Sequence, residues 1–146
     1  MAHFSQVDAE HRYAVAIPET TPNGQPITVD RRPRGNAHVL HAESPDQSEL
    51  YFEVTTYPAL ADHAELVKTQ QQFLRGSAPD AELTAVGTTT VGERTATTFD
   101  FKGTLQHRLK ERRFLFVDGA AHTYRVVYDP TSPLNETVLQ SFAIEG

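Results

Sequence analysis

Residues 111–118 read Glu-Arg-Arg-Phe-Leu-Phe-Val-Asp, and a sheet with one wet face cannot accommodate them. Successive side chains of a strand point to opposite faces, so Phe114 and Phe116 share one face while Leu115 and Val117 share the other. A half-exposed antiparallel strand would alternate apolar with polar residues. Four consecutive apolar residues instead demand cover on both faces. Upstream, Arg108, Lys110 and Arg112 carry the parity of the two phenylalanines. The strand is therefore expected to leave its covering layers at that end, with the charges on a protruding rim.

Two helical segments supply the cover. Asp62-His63-Ala64-Glu65 has the form of a capping box, with Asp62 as N-cap and Glu65 reaching back. The helix it opens is expected to run to about Arg75. Ala64, Val67, Gln71 and Leu74 form its stripe, widened by Leu66 and Phe73, and Gly76 is its stop. Near the end of the chain Ser132-Pro133 supplies an N-cap and an N1 proline, followed by a stripe of Leu134, Val138, Leu139 and Phe142.

The other segments read as strands. Tyr13, Val15 and Ile17 alternate before Pro18. Residues 18–36 hold four of the nine prolines and two glycines, and read as a long surface loop with a short strand at Ile27–Val29. Residues 37–44 and 49–57 pair around Ser44-Pro45-Asp46-Gln47, and residues 81–92 and 93–101 pair by turning at Gly92-Glu93. The last pair flanks Asp118-Gly119, which predicts a type I′ turn with positive φ at both centres. The result is an α+β fold, an α/β/α sandwich on a central, mainly antiparallel sheet of about six strands. It has one mid-chain helix and one C-terminal helix, in a single domain over residues 1–146.

Composition narrows the function classes. A net charge of −6 repels polyanions, so no nucleic-acid partner is expected. The absence of cysteine removes disulfides, a thiol nucleophile and a Cys-ligated zinc. No apolar run approaches the ~18 residues of a membrane span. Met1-Ala2-His3-Phe4-Ser5-Gln6 has neither the basic start nor the apolar core of a signal peptide, which points to the cytoplasm if Met1 is the native start.

The order of elements, with Tyr-Ala-Val-Ala-Ile-Pro at 13–18, Val-Asp-Gly-Ala-Ala-His-Thr-Tyr-Arg-Val-Val-Tyr at 117–128 and Leu-Gln-Ser-Phe-Ala-Ile at 139–144, resembles the Mog1/PsbP-like family. That family includes photosystem II extrinsic proteins, a Ran-binding protein, DcrB-like bacterial proteins and secretion-effector chaperones. The resemblance covers roughly residues 11–143. It implies the α/β/α sandwich and an accessory or binding role, with no shared catalytic residues.

Candidate sites are few. Seven histidines are scattered, and His38 and His41, three apart on a strand, face opposite sides. No metal-ligand spacing is present, and neither a metal nor a cofactor is expected. Ser132 is assigned to capping and Ser141 to a backbone carbonyl; no serine lies in a nucleophile motif. Asp100 is expected on a polar rim or paired with Lys102 or Arg125. Tyr51, Tyr57, Tyr124 and Tyr128 line a groove or pack in the core.

The basic clusters carry more. Arg31, Arg32 and Arg34 in the long loop and Arg108, Lys110, Arg112 and Arg113 on the strand are seven of the thirteen Lys and Arg. They form either a positive patch for an acidic protein partner or charged edges that block aggregation. The expectation is a non-catalytic binding or accessory protein, not an enzyme, engaging a protein partner or a second copy of itself. The alternative is a small-molecule-binding protein or minor enzyme with a pocket between the sheet and the mid-chain helix.

Overall fold

Phe114 and Phe116 are 4% and 0% exposed and pack in one apolar cluster; Leu115 and Val117, at 1% and 0%, pack in another. The strand is covered twice, as its sequence requires. These positions belong to a computed structural model that describes residues 3–8, as backbone, and 10–145. In chain order the elements are β1 (His3–Asp8), β2 (Tyr13–Pro18), β3 (Thr28–Arg34), β4 (Ala37–Glu43), β5 (Tyr51–Thr56), α1 (His63–Ser77), β6 (Glu82–Leu83), β7 (Gly87–Val91), β8 (Arg94–Leu105), β9 (Arg108–Asp118), β10 (Thr123–Tyr128), α2 (Pro133–Ser141) and β11 (Ala143–Ile144).

The main sheet has eight strands, more than the six or so expected, in the order β3-β4-β5-β10-β9-β8-β6, with β7 also paired to β8. β1, β2 and β11 form a second, three-stranded sheet. All the named strand pairings are antiparallel. On one face of the main sheet, Val67 and Leu74 of α1 meet Phe99, Phe101, Phe114, Phe116 and Val127. On the other, Leu115, Val117, Tyr124 and Val126 meet Tyr13, Val15 and Ile17 of β2 together with Val138 of α2 and the following Phe142. Each large side chain buried here contributes about 1.5–3 kcal/mol. A one-residue slip of β9 would exchange the two pairs, each entering a layer packed for the other.

Several local expectations need correction. The arginine-bearing segment is no loop: residues 28–34 pair residue by residue with β4. Pro33 is tolerated because β3 is an edge strand with one set of backbone groups unpaired. Helix α1 begins at the expected N-cap, with the Asp62 carboxylate accepting from the Ala64 N–H at 2.9 Å, but among the described residues Glu65 makes no bond back to Asp62. It runs through Gly76 to Ser77, because buried Ala78 still donates to the Leu74 carbonyl at 2.9 Å. Leu66 and Phe73, seven residues apart, share a side turned ~100° from Val67 and Leu74. Phe73 is 61% exposed and lies outside the buried stripe.

The Asp118-Gly119 turn is also different. Asp118 pairs with Thr123, leaving a four-residue loop closed by Gly119 N–H to the His122 carbonyl at 2.8 Å. The positive-φ pair sits one hairpin earlier, at Gln106 (φ 52°) and His107 (φ 68°), between paired Leu105 and Arg108. Gly119 answers a packing need: a Cβ there would lie 2.9 Å from Ile144 Cγ2. Ser132 occupies the N-cap of α2, but its hydroxyl donates to the Glu49 carbonyl. Fully buried Asn135 ties α2 to the sheet, accepting from Tyr51 N–H at 3.1 Å and donating to the Asp129 carbonyl at 2.9 Å. Ser141 donates to the Val138 carbonyl at 2.6 Å and accepts from Ala16 N–H at 2.8 Å.

Candidate binding cleft beside helix α1

Strand register decides which side chains face α1. Directly opposed residues share a face, so Arg32 and Arg34 of β3 stand with His41 of β4, Tyr51 and Glu53 of β5, Arg125 of β10 and Arg112 of β9. The buried sheet residues that cluster with α1 come from β8, β9 and β10, with Tyr51 of β5 and Leu83 of β6 packed at the edges. Beside it, toward β5, a cleft of about 410 Å³ remains open, and its lining includes Arg34, Tyr51, Glu53, Phe73, Arg112 and Arg125.

The floor of the cleft is a polar network. Glu53, 8% exposed, accepts from Arg125 at 2.7 Å, faces His41 Nδ1 at 3.3 Å and accepts from the Tyr51 hydroxyl at 3.4 Å. Arg125 also donates to Thr55 at 3.2 Å and to Gln70 of α1, which fastens the helix to the sheet. His41 Nε2 meets Glu43 at 2.9 Å. Burial pushes the Glu53 carboxyl up, but the His41 hydrogen bond and the Arg125 charge outweigh it and hold it at about 2. The hydrogen bond to Glu53 raises His41 against the opposing effect of burial. Burial, with the Glu53 charge, pushes Tyr51 up to about 12, so its hydroxyl remains a donor. A buried ion pair held in this way is sensitive to removal of either partner.

At the next strand Arg112 is 5% exposed, with its guanidinium carbon 3.9 Å from the Tyr51 ring centroid. It donates to Gln47 at 2.6 Å and to the Glu111 carbonyl at 2.8 Å, and Asp129 lies 3.8 Å away. Gln47 and its neighbour Asp46 both have positive φ, 58° and 56°, in the turn that carries them there. Lys110 donates to the same Gln47 oxygen at 3.1 Å. The cation expected on the rim is thus an interior group.

The seven basic residues do not form one patch. Arg34 and Arg112 line the same cleft. Arg32 shares their face but pairs with Asp30 at 3.2 Å. Arg31 has the opposite parity. Arg108 pairs with Asp46 at 3.4 Å, both exposed. Arg113 turns to the other face, where it holds Asp100 through two bonds of 2.8 and 3.0 Å and approaches Glu136 at 3.7 Å. Asp100 therefore pairs with the residue directly opposite it, and with neither Lys102 nor Arg125. The tyrosines also separate: Tyr124 and Tyr128 are buried on the far face, while Tyr51 and Tyr57 line the cleft.

The His41–Glu53–Arg125 network is not among the sites expected from the sequence. Its signal was present, since Glu53 and Arg125 each occupy alternate positions between apolar residues, but their convergence depends on register. A second cross-element contact joins the start of α1 to the sheet: His63 Nδ1 lies 3.0 Å from Thr97 Oγ1 and its Nε2 2.8 Å from Asp118. Among the described residues no group of three His, Asp or Glu is arranged to hold a metal, and no helix is long and apolar enough to cross a membrane.

No protein-family model matches the sequence, and no curated protein matches it. Solved structures do. The cyanobacterial PsbP protein CyanoP from Synechocystis sp. PCC 6803 aligns over 97% of this chain and 92% of its own, with a TM-score of 0.63 at 11% identity. A structure from Bacteroides thetaiotaomicron VPI-5482 aligns over 97% of this chain at a TM-score of 0.60 and 7% identity. This chain spans about half of that protein, 48%. At these identities the likeness concerns the fold alone, which is PsbP-like.

Proposed function

We propose that the chain is a non-catalytic binding or accessory protein that engages a protein partner through the cleft beside α1, as a cytoplasmic member of the DcrB-like branch of the Mog1/PsbP-like family. The observation that carries the reading is that Arg34 and Arg112, from two clusters far apart in sequence, line one cleft whose wall carries exposed Phe73. An exposed aromatic beside arginine is the composition of an interface anchor. The network below it preorganises the floor, so binding there orders few additional side chains.

The test is capture from the host with wild-type protein, with Arg34→Glu, and with Arg75→Glu on the other side of α1. Loss of one defined partner with Arg34→Glu but not with Arg75→Glu supports the reading. A partner retained by both variants, or none at all with a strictly monomeric protein in light scattering, overturns it. A second reading, a small-molecule binder, is favoured by the cleft volume of about 410 Å³, which lies in the range of ligand pockets. A saturable rise in Tm with a metabolite, abolished by substitution at Phe73, would support that reading.

A further inference from the structure

Resting on the reading of the cleft as a partner site, we infer that it takes an extended segment bearing an acidic side chain and, two residues further on, an aromatic or large aliphatic one. The charge balance sets the first requirement. Among the described residues, Arg34, Arg112 and Arg125 face the cleft against one lining carboxylate, Glu53, which Arg125 and His41 already hold. In a chain of net charge −6 this is a local excess of positive charge. Arg112 and Arg125 spend donors on Gln47, Glu111, Gln70, Thr55 and Glu53. Arg34 is exposed and has no ion pair among the described residues. Its planar fork is the group with capacity to take an incoming carboxylate through two bonds.

The walls set the second requirement. Leu66 and Phe73 of α1 and Leu105 at the end of β8 line the same cleft, and Phe73 leaves 61% of its surface uncovered. A partner's apolar side chain laid on it removes that surface from water. The space, about 410 Å³, holds a few side chains and cannot take in the whole body of a helix, whose diameter with side chains is ~10 Å. An extended chain presents alternate side chains to one surface, and the shortest spacing that puts both the acidic and the apolar group on the cleft is two residues.

The test is an NMR titration of the whole protein with acetyl-Asp-Ser-Phe-amide, its Asn counterpart and its Phe-to-Ala counterpart. Expected are shifts confined to cleft residues and about tenfold weaker binding of the Asn peptide, the effect of one charge-assisted hydrogen bond. Arg34→Ala is expected to erase the difference between the Asp and Asn peptides, while Arg75→Ala leaves it. Equal binding of the two peptides to the wild type, shifts mapped elsewhere, or no binding overturns the inference. If a host partner is lost with Arg34→Glu and yet no tripeptide binds, the segment chemistry falls and the cleft as partner site stands. If neither is seen, both fall.

Discussion

Arg112 lies over the Tyr51 ring, guanidinium carbon 3.9 Å from the centroid, and donates to Gln47 at 2.6 Å. A guanidinium can be buried in this way because its face is weakly hydrated and its edge keeps its hydrogen bonds. Lysine offers neither the plane nor the fork. Arg112→Lys is therefore expected to lower unfolding stability by about 2 kcal/mol and Arg112→Ala by at least as much. Urea denaturation reads the effect, with 64%-exposed Leu109→Ser as an unaffected control. Unchanged midpoints for both Arg112 variants would refute the interior role.

The Glu53 network imposes a pH window. The Glu53 carboxyl is held at about 2 against an ordinary 4.5, so its stabilisation is present above pH 4.5 and is lost as pH falls toward 2. His41 is raised above 6.5, so its stabilisation is full below pH 6.5 and is lost as pH rises through the raised value. The combined contribution is greatest between pH 4.5 and 6.5. Glu53→Gln is expected to flatten the acid limb of stability against pH, and His41→Gln the limb above 6.5. Arg125→Ala, which strands the carboxylate, is expected to cost ~3 kcal/mol at neutral pH. Parallel wild-type and Glu53→Gln curves on the acid side would contradict the network.

Gly119 and Gly92 are required for different reasons. At Gly119 an added Cβ meets Ile144 at 2.9 Å and Tyr124 Cε2 at 3.1 Å, so Gly119→Ala is expected to destabilise by about 1–3 kcal/mol through overpacking. Ile144→Ala in the same chain should recover part of that loss. At Gly92 the space is open but φ is +62°, so Gly92→Ala should cost ~1 kcal/mol with no rescue by trimming neighbours. Thermal unfolding of the single and double variants separates the two mechanisms.

The β8–β9 hairpin turns on Gln106 and His107, both at positive φ. Replacing them with Asn and Gly, the residues that such a turn prefers, is expected to stabilise by roughly 0.5–1 kcal/mol. A fall in Tm would mean that the turn side chains make contacts worth more than the backbone relief.

Much of the architecture was legible because it rests on local periodicity. The doubled apolar parity of 114–117, the Asp62 cap and the α2 stripe each depend on residues within one helix or one strand. Residues 28–34 misled because proline and glycine flank a segment that survives as an edge strand only by pairing with β4. Asp118-Gly119 misled because the glycine serves contacts with Tyr124 and Ile144, which no neighbouring residue announces.

The site divides in the same way. From residue order alone came the two arginine clusters, the sheet covered on both faces and the parity that turns Arg112 and Arg113 apart. Tertiary structure alone decided that Arg113 is consumed by Asp100, that Arg112 is buried on Tyr51, and that Arg34 meets the Glu53 network in one cleft. The physical reason is that parity assigns a side chain to a face, while charge pairing and burial depend on which strands are neighbours. That order, β3-β4-β5-β10-β9-β8, joins strands far apart in sequence and so lies beyond local periodicity.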